Sequence, residues 1–293
     1  MRAWLARSDL RLEPEATELL ERIVSVLDLP YPQDGLAALR MWGQTGDRPT
    51  VWIAAADPVY LEAHLDHLRL HALHPEALPP ADLRALFDHL QETLADDRHT
   101  GFTRLGTFGY LRTDNPISTA ALPAYMVDGQ VPSGFLPEGE GAADYRNLLS
   151  EIEMSLHDHE VNQRRVEAGQ RPINSLWIWG GGLAPERAVR PQPPLFADDP
   201  LLLGYWQSAD AASEPWPGNF ADCLRMPGAG FVAVTPESED DPAFLQDCLE
   251  QLRAALRAKR IGRLTILFRD GRRAHVERSH RLRIWRRDSK LLD

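Results

Sequence analysis

The apolar positions along the chain change period several times, and each change marks an element. Leu19, Leu20, Ile23, Val26 and Leu27 recur at near-helical spacing between Pro14 and Pro30, which predicts a helix opened by one proline and stopped by the other. Val51 to Ala56 is then a short unbroken apolar run, as in a strand covered on both faces, and Asp57-Pro58 ends it. "HLRLHAL" alternates instead. Leu68, Leu70 and Ala72 fall on one side and His67, Arg69 and His71 on the other, which predicts a half-exposed strand. Over residues 80 to 95, Leu83, Leu86, Phe87, Leu90 and Leu94 form the stripe of an amphipathic helix. "GFTRLGTFGYLRT" reads as one or two strands broken at Gly106. Residues 114 to 142, rich in Pro and Gly, read as an irregular connector.

In the second half, Leu148, Leu149, Ile152 and Leu156, with Val161 and Val166, predict one long helix over 144 to 168 that stops at Gly169. "SLWIW" reads as a buried strand and "GFVAVTP" as another. The proline-rich stretch 183 to 228 between them yields no helix. Asp241 caps a further helix with Pro242 at its first position, and Leu245, Cys248, Leu249, Leu252 and Leu256 are its stripe. Asp270-Gly271 between two strand-like runs signals a C-terminal hairpin, followed by "RLRIWRR", which alternates like a sheet edge. Strands and helices thus alternate, and three strands are continuously apolar. The expected fold is α/β with a partly parallel mixed sheet. Residues 1-57 and 144-293 are the expected α/β core, and 58-143 a smaller α+β insert with its connector.

Composition narrows the function classes. The chain has 293 residues, 43% of them hydrophobic and 26% charged, and a net charge of −11. That balance opposes broad binding to nucleic acid or anionic membranes. No apolar run approaches the roughly 20 residues of a membrane span. The two cysteines, Cys223 and Cys248, lack a paired spacing, so neither a disulfide framework nor a cysteine zinc site is expected. A cytoplasmic location is the default expectation. Charge is uneven, however: between Arg269 and Lys290 nine basic residues stand against three acidic ones. A contact with the acidic remainder of the protein fits that tail better than a nucleic-acid interface.

Ligands of open α/β sheets sit beyond the carboxyl ends of strands, which selects Asp57, Gly180, Gly181, Gly182 and Thr235. Asp57 is the best placed lone carboxylate for acid–base work, and also a common loop or cap group. A glycine triplet can aim N–H groups at an anion, or simply make a tight turn that needs positive φ. No phosphate-loop or dinucleotide fingerprint accompanies it. His64, His67, His71 and His74 would share a face only on a helix, and the leucine alternation argues for a strand, so no metal site is expected there. His157 and His159 diverge on a helix, whereas Glu153 and His157 share a face as a charge pair. Asn162 and Arg165 lie three apart and can reach one locus, either an anion or the backbone carbonyls of a buried joint. Ser175 precedes a buried strand without the elbow motif of a serine nucleophile.

One segment carries a resemblance. "HEVNQRRVEAGQRPINSLWIWGGG" resembles a stretch of the archaeal-type cofactor-independent phosphoglycerate mutases, in the alkaline phosphatase superfamily. His159, Val161, Asn162, Arg165, Gly169, Pro172, Asn174, Trp179, Gly180 and Gly182 occupy the places of that pattern. Residues 66 to 113 are similar to part of the insert domain of those enzymes. The chain also resembles an uncharacterised bacterial family called regulatory proteins of RpfE type, through "ADPV" at Ala56 to Val59, "NSLWIWGGG" and a C-terminal "WRR". The resemblance implies a reduced alkaline-phosphatase-like core. It implies ligand-binding candidates at Asp57, Asn162, Arg165, Asn174 and Gly180 to Gly182. Departures are equally plain. The chain opens "MRAWLARSDLRLEPE", without the aspartate-glycine metal motif of the mutases, and its late strand ends "LFRDG". The expectation is therefore a non-catalytic or catalytically altered relative, with no cofactor and a regulatory role toward a small anionic ligand or a protein partner. The alternative is a metal-dependent mutase or other phosphotransferase, which would take Zn or Mn. A nucleic-acid role of the basic C-terminal strands is a weaker alternative.

Overall fold

A computed structural model describes residues 2–13, 17–73, 78–96, 99–139, 141–225, 230–236 and 241–286. Its helices are α1 (Arg2–Leu5), α2 (Leu19–Leu27), α3 (Leu36–Thr45), α4 (Pro80–Thr93), α5 (Ala142–His157), α6 (Glu160–Glu167), α7 (Pro200–Ser208), α8 (Phe220–Cys223) and α9 (Pro242–Arg257). Its strands are β1 (Asp9–Leu12), β2 (Ile53–Ala63), β3 (Leu68–Ala72), β4 (Thr100–Leu105), β5 (Phe108–Thr113), β6 (Ser175–Gly182), β7 (Leu195–Phe196), β8 (Ser213–Glu214), β9 (Val232–Ala233), β10 (Arg263–Leu267) and β11 (Arg272–Glu277). The chain is α/β with mixed sheets, in two compact units: Pro32–Glu186, and Met1–Tyr31 with Arg187–Asp293. The expected boundaries at 57/58 and 143/144 fall instead inside β2 and α5.

In the Pro32–Glu186 unit every ladder is antiparallel. β6 runs along β2 from Ile53 to Val59, while β5 and β3 share the opposite edge of β2 and β4 pairs β5. The expectation of a partly parallel main sheet is corrected here. A continuously apolar strand signals cover on both faces, not strand direction. Ala54, Ala56, Leu111, Leu176 and Ile178 pack with Leu83, Leu86, Phe87 and Leu90 of α4 and with Tyr145, Ile152 and Leu156 of α5. Alternation sends Ala55, Asp57, Tyr110 and Trp179 to the other face, where α3 lies.

The helix expected over 144 to 168 is two. His159 adopts extended backbone and its side chain caps α6, so the chain turns between Asp158 and His159. Gly169 stops α6 as its position suggests. At φ 70° it donates to the Val166 carbonyl, and Gln170 donates to that of Arg165, a Schellman closure. The glycine triplet is no loop beyond a strand end but the last three residues of β6.

In the other unit, β1, β11 and β10 form an antiparallel sheet over Leu5, Leu256, Ala274 and Val276. β7 pairs β8 and β9 in parallel. Helix α7 lies within the stretch that yielded no helix, opened by Asp199 capping Leu201 and Leu202 with Pro200 at its start. The described part of "RLRIWRR", Arg281 to Arg286, is not a strand. Residues 278 to 282 form a 3-10 turn, and Arg283 and Arg286 reach the Asp9 carboxylate at 2.5 and 3.5 Å. Pro14, His74, Arg287 and Lys290 lie outside the described residues.

Candidate functional site

Helix α3 reaches its sheet only because the residues beneath it are glycines. A Cβ on Gly182 would lie 2.3 Å from the Gly35 nitrogen, and one on Gly181 would lie 2.4 Å from the Trp52 ring. Gly180 has φ 61°, and its Cβ would meet that of Leu36 at 3.1 Å. The N–H of Gly180 donates to the Ala120 carbonyl at 3.0 Å and that of Gly181 to the Thr119 hydroxyl at 2.9 Å. Those two donors are committed within the protein. Gly180 and Gly182 act as a seat for α3 and its N-terminal cap, while Gly181 packs against Trp52 and Thr119.

That seat puts Arg40, which sequence reasoning missed, over the face of the sheet. Its Nη1 donates to Asp57 Oδ1 at 2.8 Å, its Nη2 to the Gly109 carbonyl at 2.9 Å, and its Nε to the Tyr110 hydroxyl at 3.2 Å. The guanidinium carbon stands 4.9, 4.8 and 5.3 Å from the ring centres of Phe108, Tyr110 and Trp179. Trp179 Nε1 donates to the second Asp57 oxygen at 2.5 Å, and the Tyr110 hydroxyl donates to Gln44. Burial opposes the Arg40 charge, but Asp57 and Tyr110 outweigh it, and its pKa is held above the ordinary arginine value. Burial likewise raises the Tyr110 phenol. Asp57 is thus a fixed counter-ion with both oxygens engaged. The signal in the sequence was a single charge within the apolar window "LAALRMW".

The other expected residues form a second cluster. Asn162 is buried in the α5–α6 joint. Its amide nitrogen donates to the carbonyls of Leu156 and Ile173, both at 2.8 Å, and its oxygen accepts the Ile173 N–H at 2.8 Å. Arg165 donates from Nε to the Arg171 carbonyl at 2.9 Å and stands 3.8 Å from Asp82. Asn174 pairs with the backbone of Leu61 in both directions, at 2.7 and 2.9 Å. Asn162 and Asn174 therefore flank Ile173 at the entry of β6. The glycines and Trp179 sit at its other end, roughly 20 Å away along the strand. One strand carries both clusters without merging them.

Remaining polar candidates divide similarly. Glu153 and His157, expected to pair, part company: Glu153 accepts from the Ser175 hydroxyl at 3.3 Å, while exposed His157 stands 3.8 Å from Asp158. Burial raises the Glu153 carboxyl despite that bond. His71 and His64 approach Glu62 at 2.8 and 3.5 Å, and His67 approaches Asp66 at 2.7 Å. The Thr235 carbonyl accepts from Arg269 at 3.1 Å. Among the described residues no group of three or more His, Cys, Asp or Glu side chains is placed to hold a metal ion. No helix among them is long and apolar enough to cross a membrane.

No family model matches the chain. It is 30% identical over 110 residues to a probable 2,3-bisphosphoglycerate-independent phosphoglycerate mutase of Geobacter sulfurreducens, covering 37% of this chain and 27% of that protein. It is 35% identical over 68 residues to the 2,3-bisphosphoglycerate-independent phosphoglycerate mutase of Methanosarcina mazei, covering 23% and 17%. Its relatives are phosphoglycerate mutases, over part of the chain. The matched stretch thus spans about a quarter or less of those relatives' length. Among solved structures, a cofactor-independent phosphoglycerate mutase from Thermoplasma acidophilum is similar at a TM-score of 0.41 and 18% identity, over 94% of this chain and 81% of that one. A protein from Pyrococcus horikoshii is similar at 0.43 and 13%, over 75% and 54%. At those values neither backbone carries a site across.

Proposed function

We propose that this chain is a phosphoglycerate-mutase-related protein with a binding or regulatory role, in which the mutase-like segment serves as a structural joint. The observation that carries the reading is the use of Asn162. Both amide hydrogens and one carbonyl lone pair are spent on the backbone of Leu156 and Ile173. The likeness to regulatory proteins of RpfE type and a cytoplasmic setting belong to the same proposal. So does a small anionic ligand or a protein as the partner.

The second reading is a metal-dependent mutase, and the likeness over part of the chain to phosphoglycerate mutases favours it. A two-metal site needs several carboxylates and histidines converging on each ion. The described residues do not fit that requirement. Elemental analysis of protein purified without chelators separates the readings. The proposal expects no stoichiometric Zn or Mn. Two tightly held ions per chain would sink it.

A further inference from the structure

His159 begins α6 with its imidazole Nδ1 accepting the Val161 N–H at 3.2 Å. Only a ring unprotonated at Nδ1 can make that bond. Its ring centre also lies 4.8 Å from that of His89 on α4, whose Nε2 is 3.1 Å from the Ser155 carbonyl. A carbonyl only accepts, so His89 carries its proton on Nε2. We propose that His159 makes the α5–α6 joint a proton-sensitive hinge: neutral, it caps α6; protonated, it releases that end of the helix.

Three effects act together on protonation. The cap is lost, because Nδ1–H then faces another N–H. A positive charge arrives at the positive end of a helix dipole. That charge also meets His89 across the ring contact. The charged groups facing the ring are His89 on α4, and Glu160 and Arg164 on α6, with Arg164 held 3.4 Å from Asp82. His157 and Asp158, next to it in the chain, are exposed and 3.8 Å from each other. Burial, then His89, depresses the His159 pKa below the ordinary 6.5, while Glu160 opposes them. The sign follows. A histidine with a depressed folded pKa contributes stability that is complete above 6.5. That contribution falls as pH drops through 6.5 toward the folded pKa. What loosens is specific, because Asn162 and Arg165 hang the 171 to 173 return on α6.

Hydrogen exchange of the full chain tests this at about pH 7.5 and about pH 5.5, corrected for intrinsic rates. In the wild type, protection of the α6 amides should fall about fivefold more than that of β6, the scale of a lost cap. His159→Asn keeps an acceptor at every pH and should hold α6 protected. Equal losses in both proteins, or none in the wild type, would overturn the hinge. Should His159→Asn not fold, NMR titration of the wild-type ring decides. The Val161 amide shift must follow a ring titration below 6.5. A ring titrating at or above 6.5, or an unmoved Val161 amide, overturns it.

Discussion

Asn162 shows how one amide can imitate a functional group. Removing it as Asn162→Ala strands the Ile173 carbonyl and N–H inside the joint, while the Leu156 carbonyl keeps its backbone donors. The expected loss is about 2–4 kcal/mol, read as a lower urea midpoint at unchanged slope. Asp57→Asn keeps an acceptor for Trp179 but leaves the buried Arg40 without its counter-ion. Breaking a fully buried pair costs roughly 3–5 kcal/mol, and the partial exposure of Asp57 brings the expected loss to about 2 kcal/mol by the same measurement. Asp57 and Asn162 were both legible, because a carboxylate ending an apolar run and an amide near an arginine stand out in one dimension. Their partners were not. Arg40 lies 17 residues from Asp57, and Trp179 lies 122 away. Only the fold joins them.

At the scale of elements, the glycines of β6 are a packing device. Gly180→Ala forces a side chain into left-handed backbone against Leu36. It should lower stability by about 2 kcal/mol and shift the thermal midpoint down, whereas an open-loop glycine with ordinary φ would tolerate the change. Helices with a clean stripe, such as α4 and α9, could be read directly, since both bury one face. Helices α3 and α7 could not. In α3 the apolar run leaves no contrast between faces. In α7 the Asp199-Pro200 start matches the Asp241-Pro242 start of α9 in kind, but lies among prolines that suggest loop. The break before α6 left one mark, a phase slip, since on an unbroken helix Val161 would point about 140° away from Leu156. The basic tail misled in the other direction. Its alternation reads as a strand, whereas Arg283 and Arg286 are drawn to Asp9.

For the whole molecule, continuous apolar strands suggested parallel pairing, but such runs report only that a sheet is covered on both faces, and the ladders of the main sheet are antiparallel. Shared sequence with the mutases is confined to part of the chain. Here the residues of the matching pattern hold backbone to backbone. Asn162 closes the α5–α6 joint, Asn174 clips β6 to β2, and Gly180 and Gly182 seat α3. A site that binds a phosphorylated substrate would need these donors free. The direct measurement is the interconversion of 2- and 3-phosphoglycerate by the purified chain, with Mn or Zn supplied. A structural role for the segment predicts no turnover above the metal-containing buffer. Steady turnover that Asn162→Ala abolishes in a still-folded protein would contradict it.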